Sequence, residues 1–217
     1  TLFAGHYGSG KTNVAVNYAK WLRRTFDSVT VADLDIVNPY FRTKDSAEAL
    51  REAGVKLVVS EFANSNVDFP AMPKEAYALF GGDGGKVVVD VGGDDRGALA
   101  LGRYVDDIRR ENDYEMLAVV NFNRPLTSTP ESALEVLREI EQACTVRFTG
   151  IVNNTNLGGA TKAEDVLASL AAVGELSGMM GIPVRFTSVI SSLSEKVAAR
   201  VENVFPIDVQ KLYYQLP

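Results

Sequence analysis

Short, strongly apolar runs alternate along this chain with longer segments in which apolar residues recur every three to four positions. Runs of the first kind are typical of buried strands, and segments of the second kind are typical of amphipathic helices. Predicted strands cover residues 2–4, 28–32, 55–59, 86–91, 116–120, 146–152 and 183–189. Predicted helices cover residues 13–24, 46–53, 75–80, 98–110, 131–143, a segment after residue 160 that ends at residue 180, and 194–201.

Within the strand over residues 86–91, residues 87–89 are apolar on both faces, which is typical of a parallel sheet covered by helices on each side. Strands and helices alternate through the whole chain, and the connections at residues 61–73, 81–85, 121–130 and 153–160 are predicted loops and turns. The pattern therefore predicts one α/β domain over residues 1–217, built on a doubly wound, mostly parallel sheet with helices on both faces. Such sheets bind ligands at the carboxyl ends of their strands.

The composition argues against several classes of protein. The 22 basic and 28 acidic residues give a formal charge of −6, which argues against a broad surface for nucleic acid or anionic membrane. The single cysteine, Cys144, permits no disulfide within the chain and favours a reducing, cytoplasmic setting. With one histidine as well, the chain lacks the ligands for a zinc or iron–sulfur cage. No apolar run approaches the roughly 18–20 residues of a membrane span, and no secretory leader is expected.

A glycine-rich segment lies between the first predicted strand and the first predicted helix. Residues 5–12 read GHYGSGKT, a G-x-x-x-x-G-K-T pattern in the strand–loop–helix setting of a phosphate-binding loop. Its glycines permit the backbone angles with which successive N–H groups surround a phosphate. Lys11 would bridge the β- and γ-phosphates, and the Thr12 hydroxyl would hold Mg²⁺. The predicted nucleotide-binding residues of this segment are Gly5, His6, Gly8, Ser9, Gly10, Lys11, Thr12 and Asn13.

Acidic residues follow two of the apolar runs directly. Asp90 has the position of an aspartate that holds Mg²⁺ through water, and residues 90–93 read D-x-x-G, in which the Gly93 N–H could meet the γ-phosphate. Asp35, after the second strand, is predicted to orient the attacking water and to hold a Mg²⁺-bound water. Asp33 either shares that role or caps a turn.

Four stretches together resemble the MinD/ParA-like ATPases, the branch of P-loop proteins that also holds nitrogenase iron protein and the nickel-insertion ATPases. They are GHYGSGKT at 5–12, ADLDIVNPYFR at 32–42, VVVDVGG at 87–93 and GIVNN at 150–154. The resemblance implies the P-loop NTPase fold, ATP with Mg²⁺, slow hydrolysis and often an ATP-dependent homodimer. It also implies that Asn154 reads adenine, unless it is only a turn residue. A guanine site would require N-K-x-D, whereas residues 153–156 read NNTN.

His6 departs from the resembled family, most of which has a second lysine there that reaches the partner subunit's phosphates. Either a cationic His6 partly replaces that lysine, since a nearby triphosphate should raise the pKa of His6 above about 6.5, or His6 only fills the loop. Arg42 and Arg124 are candidates for phosphate or partner contact, with ordinary surface arginines as the alternative. The tail lacks a basic amphipathic helix for docking to anionic membrane.

These features predict a Mg-ATP hydrolysing switch whose nucleotide state is read by a protein partner, with residues 33–42 and 92–104 as the moving segments. Lys11 and Asp35 would be its catalytic residues. The alternative is an enzyme of the same fold that transfers phosphate to a small molecule or ligates it, like dethiobiotin synthetase or the cobyric acid amidation enzymes. A third hypothesis, a module that binds nucleotide without turnover, is opposed by the presence of Lys11, Thr12, Asp35 and Asp90 together.

Overall fold

The computed structural model describes residues 1–34, 43–59, 85–93, 99, 101–102, 104–111 and 113–209. The strands are β1 (Leu2–Ala4), β2 (Val29–Leu34), β3 (Lys56–Val59), β4 (Lys86–Val91), β5 (Met116–Val120), β6 (Gly150–Asn153), β7 (Val184–Ile190) and β8 (Val204–Ile207). The helices are α1 (Lys11–Leu22), α2 (Thr43–Glu52), α3 (Val105–Glu111), α4 (Pro130–Cys144), α5 (Ala163–Ala168), α6 (Leu170–Met180) and α7 (Ser194–Ala198). Short 3₁₀ turns cover Pro125–Thr127 and Ser191–Leu193.

The eight strands form one sheet in the order β3-β2-β4-β1-β5-β6-β7-β8, and every neighbouring pair is parallel. From β1 the chain first builds one half of the sheet, through β2 and β3, and later builds the other half from β5 outward. The strand order therefore reverses beside β1, at the position where open α/β sheets bind their ligands. The predicted doubly wound parallel sheet is confirmed.

Helices cover both faces of this sheet, because successive side chains of each strand point to opposite faces. Phe3 and Val88 belong to the apolar layer that packs against α1 and α2. Leu2 and Val89, their neighbours in sequence, belong to the layer that packs against α3, α4 and α6. This explains why the central strands are apolar at nearly every position. Among the described residues, no helix is long and apolar enough to cross a membrane.

Two predicted elements differ most from the structure. The strand predicted at 146–152 is β6, and it begins only at Gly150 because the Phe148 N–H donates to Glu141 Oε1 (2.8 Å) rather than to a strand. The helix predicted to end at residue 180 is two helices, α5 and α6, separated by Ser169. The Ser169 hydroxyl donates to the Val166 carbonyl (2.7 Å) and competes locally with helical bonding.

The sequence-based prediction missed β8 entirely. This strand contains Pro206, which has no N–H group to donate and normally argues against a strand. β8 lies at the edge of the sheet and pairs only with β7, so the lost donor is tolerated there. Asn17 of α1 holds the chain after β8 through two hydrogen bonds. Its Nδ2 donates to the Asp208 carbonyl (3.0 Å), and its Oδ1 accepts from the Asp208 N–H (3.0 Å).

Several predictions lie outside the described residues. They include the loop at 61–73, the helix at 75–80, most of the turn at 81–85 and the start of the helix at 98–110. Asp35 and Arg42 also lie outside the described residues.

Candidate functional site

The glycine-rich loop connects β1 to α1 at the centre of the sheet and has the backbone conformation that its glycines predict. Gly8 and Gly10 have φ angles of 80° and 84°, in the left-handed region that favours glycine. A Cβ atom on Gly5 would lie 2.3 Å from the Val119 carbonyl oxygen of β5, so only glycine fits there. Gly10 caps α1, which begins at Lys11, two residues earlier than predicted.

Three polar side chains of this loop are turned into the protein. Ser9, Lys11 and Thr12 have only 2%, 1% and 3% of their surface exposed. The Ser9 and Thr12 hydroxyls have no hydrogen-bond partner among the described residues. Buried hydroxyls are normally hydrogen-bonded, and the N-terminus of α1 also presents its backbone N–H groups here. This loop therefore fits a bound anion with an associated cation, which is the chemistry of a magnesium-bound phosphate chain.

Two buried carboxylates lie side by side near the carboxyl end of the sheet. Asp33 of β2 pairs in register with Asp90 of β4, and Asp90 pairs with Phe3 of β1. Strand alternation places these carboxylates on the same face as Phe3, which is the face that α1 covers. The described residues contain no cluster of three or more metal-ligating side chains. Mg²⁺ commonly uses only one or two carboxylates beside phosphate oxygens and waters, so Asp90, Asp33 and the Thr12 hydroxyl fit such an ion.

Gly93, three residues after Asp90, lies directly against the loop. A Cβ atom at this position would be 2.8 Å from the Tyr7 backbone nitrogen and 3.0 Å from Lys11 Nζ. The structure therefore brings together the D-x-x-G segment and the glycine-rich loop, as the sequence predicts. Any side chain at residue 93 would displace the loop or the lysine.

Asn154 also contacts the loop, with both ends of its side chain bonded to protein. Its Nδ2 donates to the Ser9 carbonyl (2.6 Å), and its Oδ1 accepts from the Ser188 hydroxyl of β7 (2.6 Å). The same nitrogen lies 2.3 Å from the position that a Cβ atom on Gly10 would occupy. In this conformation Asn154 holds the loop against β6 and β7, a role that sequence reasoning missed. Its adenine-reading role stays a prediction.

Arg124, from the loop after β5, makes a second contact with the glycine-rich loop. Its Nε donates to the Gly8 carbonyl (2.9 Å), and the side chain is partly buried. Arg124 is the one of the two predicted arginine candidates that the structure describes. The sequence contained the residue, but its spacing of more than a hundred residues from Gly8 gave no sign of this contact.

Polar side chains organise the two loops that surround Asn154 and Arg124. The Asn121 amide donates to the Asn156 carbonyl (3.1 Å) and thereby connects the loop after β5 to the loop after β6. Asn153 donates to the Ser169 hydroxyl (2.9 Å) and accepts from the Thr155 hydroxyl (2.8 Å). These asparagines thus stabilise the two loops through internal hydrogen bonds.

The remaining predicted residues lie on or beside the loop. His6 is partly exposed, and its Nδ1 donates to the Tyr7 carbonyl (2.9 Å). Asn13 lies in the first turn of α1, where its carbonyl accepts from the Asn17 amide (2.8 Å). Their contacts to a nucleotide remain predictions, as does the catalytic role of Asp35.

No protein-family model matches this sequence, and no curated protein matches it. The fold is similar to solved structures of FtsY. They include the signal recognition particle receptor FtsY of Elizabethkingia anophelis (19% identity, TM-score 0.53, 86% of this chain and 57% of that chain). Chloroplast FtsY of Physcomitrella patens gives 20% identity and a TM-score of 0.58 over 86% of this chain and 57% of that chain. FtsY of Thermotoga maritima gives 20% identity and a TM-score of 0.58 over 87% of this chain and 60% of that chain.

The chain has the P-loop NTPase fold. At these identities the similarity concerns the fold, and this chain spans less than two thirds of each FtsY chain. One of the similar structures is FtsY of Elizabethkingia anophelis in complex with GDP (19% identity, TM-score 0.55). Residues 5–10 form the connection from the central strand β1 to α1, and we call residues 5–12, which include the first two residues of α1, the phosphate loop below.

Proposed function

We propose that this protein binds ATP with Mg²⁺ at the phosphate loop, hydrolyses it slowly, and acts as a molecular switch whose nucleotide state a protein partner reads. The observation that carries the proposal is the phosphate loop itself. Its left-handed glycines lead into the N-terminus of α1, where Lys11 and Thr12 are buried next to the end of β4. A phosphate chain bound there would accept hydrogen bonds from the backbone N–H groups of this helix N-terminus and would attract the Lys11 ammonium.

Mg²⁺ would be held by the Thr12 hydroxyl, with Asp90 and Asp33 behind its water ligands. When bound, the ion would offset negative charge on the phosphates. Lys11 would also offset negative charge on the phosphate chain, and the backbone N–H groups of the phosphate loop would orient the chain. Asp35 remains the proposed residue for orienting the attacking water.

Adenine is favoured because the loop after β6 offers no carboxylate. Guanine recognition in N-K-x-D sites uses an aspartate that pairs with the guanine edge, whereas residues 153–161 read NNTNLGGAT and contain no acidic residue. The GDP complex of FtsY, a protein of similar fold, makes GTP the nucleotide against which ATP must be compared.

A switch needs an element that contacts the terminal phosphate and a surface that a partner can read. Gly93 meets the first requirement, because it touches the phosphate loop at Tyr7 and Lys11. Around the loop, Tyr7, Leu126 and Leu157 expose 56%, 58% and 48% of their surface. Large exposed apolar side chains favour protein contact, so we propose that a partner or a second copy of this chain docks there. The single buried thiol, Cys144, favours a cytoplasmic setting.

The test measures ATP hydrolysis together with oligomeric state, in ATP and in ADP. The switch predicts slow basal hydrolysis, lost in Lys11→Ala, and an association state that differs between the two nucleotides. Hydrolysis that requires an added small-molecule acceptor would instead favour a phosphotransfer enzyme. Nucleotide binding without turnover would contradict the hydrolysis part of the proposal.

A further inference from the structure

The guanidinium of Arg124 is held at the phosphate loop with most of its donors still available. Nε is bonded to the Gly8 carbonyl (2.9 Å), and Nη1 and Nη2 have no hydrogen bond or ion pair with any described residue. An arginine has five N–H donors in a rigid fork that matches phosphate and carboxylate groups. A partly buried cation with two unused amino groups beside a phosphate loop is therefore suited to receive an anion.

The backbone that carries Arg124 is fixed, which distinguishes it from a mobile surface arginine. Pro125 restricts the preceding residue to extended angles, and Arg124 has φ −110° and ψ 138°. The Arg124 N–H donates to the Asn121 carbonyl (3.2 Å), and the Thr127 hydroxyl donates to the same oxygen (2.7 Å). The side chain is thus aimed at the phosphate loop before any ligand binds, so little conformational entropy is lost on contact.

The contact point lies at the end of the phosphate loop where the terminal phosphate is expected. Gly8 follows Tyr7, whose backbone nitrogen lies 2.8 Å from the position that a Cβ atom on Gly93 would occupy. Gly93 is the residue proposed to meet the γ-phosphate, whereas the backbone N–H groups at the start of α1 would receive the inner phosphates. Arg124 therefore reaches the phosphate loop on its outer part rather than at the helix start.

We propose that Arg124 is a phosphate-contacting residue that binds the terminal phosphate of the nucleotide through Nη1 and Nη2 while Nε stays on Gly8. This inference rests on the proposed function. It assigns Arg124 the recognition of triphosphate over diphosphate. Because its charge lies where negative charge develops during transfer of the terminal phosphate, it also assists hydrolysis.

The test compares Arg124→Gln and Arg124→Lys with wild type, using calorimetric titration of a magnesium-bound non-hydrolysable ATP analogue and of Mg-ADP. The matched control is Arg200→Gln, since Arg200 is exposed and its side chain has no hydrogen bond or ion pair among the described residues. We expect Arg124→Gln to weaken binding of the ATP analogue about tenfold or more, as for a lost hydrogen bond to a charged group. Binding of ADP should weaken several-fold less, Arg124→Lys should be intermediate, and the control should match wild type.

A purely structural role gives a different result. If Arg124 only supports Gly8, Arg124→Gln weakens the ATP analogue and ADP by the same factor, and that result overturns the inference. An unchanged affinity for both ligands overturns it as well. In either case wild type still binds nucleotide, so the proposed function survives. Wild-type protein that binds neither ligand would instead contradict the proposed function.

Discussion

Replacing Asn154 tests whether its buried amide holds the phosphate loop in place. Asn154→Ala removes two hydrogen bonds of 2.6 Å and leaves the Ser9 carbonyl and the Ser188 hydroxyl without those partners. Ser9 and Ser188 are each 2% exposed, so water reaches neither group without rearrangement. The Ser188 hydroxyl can still donate to the Asn153 carbonyl (3.3 Å), so the main loss is the unpaired Ser9 carbonyl, which costs roughly 1–3 kcal/mol. That is a measurable share of the roughly 5–15 kcal/mol by which a domain is stable.

The assay is urea unfolding without nucleotide, followed by circular dichroism. With a urea dependence of about 2–3 kcal/mol per molar, the unfolding midpoint of Asn154→Ala should fall by roughly 0.3–1.5 M. Asn154→Asp should be at least as destabilised, because it replaces the donor to the Ser9 carbonyl with a second oxygen. The matched control is Asn123→Ala, which removes an exposed amide and should change stability by less than about 0.5 kcal/mol.

Equal unfolding midpoints for Asn154→Ala and Asn123→Ala would refute the supporting role of Asn154. If Asn154→Ala were also to lose its preference for ATP over GTP at unchanged stability, the adenine-reading role would be the better account. Destabilisation with weaker binding of both nucleotides would favour support of the phosphate loop.

Two further predictions use other features of the fold. Gly93→Ala should abolish nucleotide binding, because its Cβ would lie 2.8 Å from the Tyr7 nitrogen. The control is Gly178→Ala in α6, where an added Cβ would have no contact within 4 Å. This control should leave binding unchanged and stabilise the protein by about 0.5–1 kcal/mol. Binding by Gly93→Ala at wild-type strength would contradict the contact. Burial raises the pKa of the Cys144 thiol above its ordinary value, so the reactive thiolate is disfavoured and a thiol reagent should modify the native protein far more slowly than the unfolded one. Comparable rates would show that Cys144 is accessible.

Local patterns were sufficient to predict the fold because its main signals are short-range. Apolar runs, helical periodicity and the glycine-rich motif are each contained in a dozen residues or fewer. β8 was missed because Pro206 argues locally against a strand, and only its place at the sheet edge makes it acceptable. The break at Ser169 was missed for a similar reason, since the partner that fixes this serine, Asn153, comes from β6.

In the candidate site, too, residues in local motifs were predicted and contacts between distant residues were not. Lys11, Thr12 and Gly93 were predicted because their motifs fix their spacing along the chain. The support from Asn154 and the contact from Arg124 join residues more than a hundred positions apart, so no local pattern indicates them. The sequence predicted both residues as candidate ligand contacts but not their hydrogen bonds to the phosphate loop, because strand order, rather than spacing along the chain, decides which loops meet.

Calorimetric titration of Mg-ATP and Mg-GTP into wild type, Lys11→Ala and Lys20→Ala tests the central claim most directly. Lys20 lies in the last turn of α1 and provides a matched lysine away from the phosphate loop. The account predicts that wild type and Lys20→Ala bind Mg-ATP more tightly than Mg-GTP, and that folded Lys11→Ala binds neither. Folded wild-type protein that binds neither nucleotide, or Lys11→Ala that binds Mg-ATP like wild type, would contradict it.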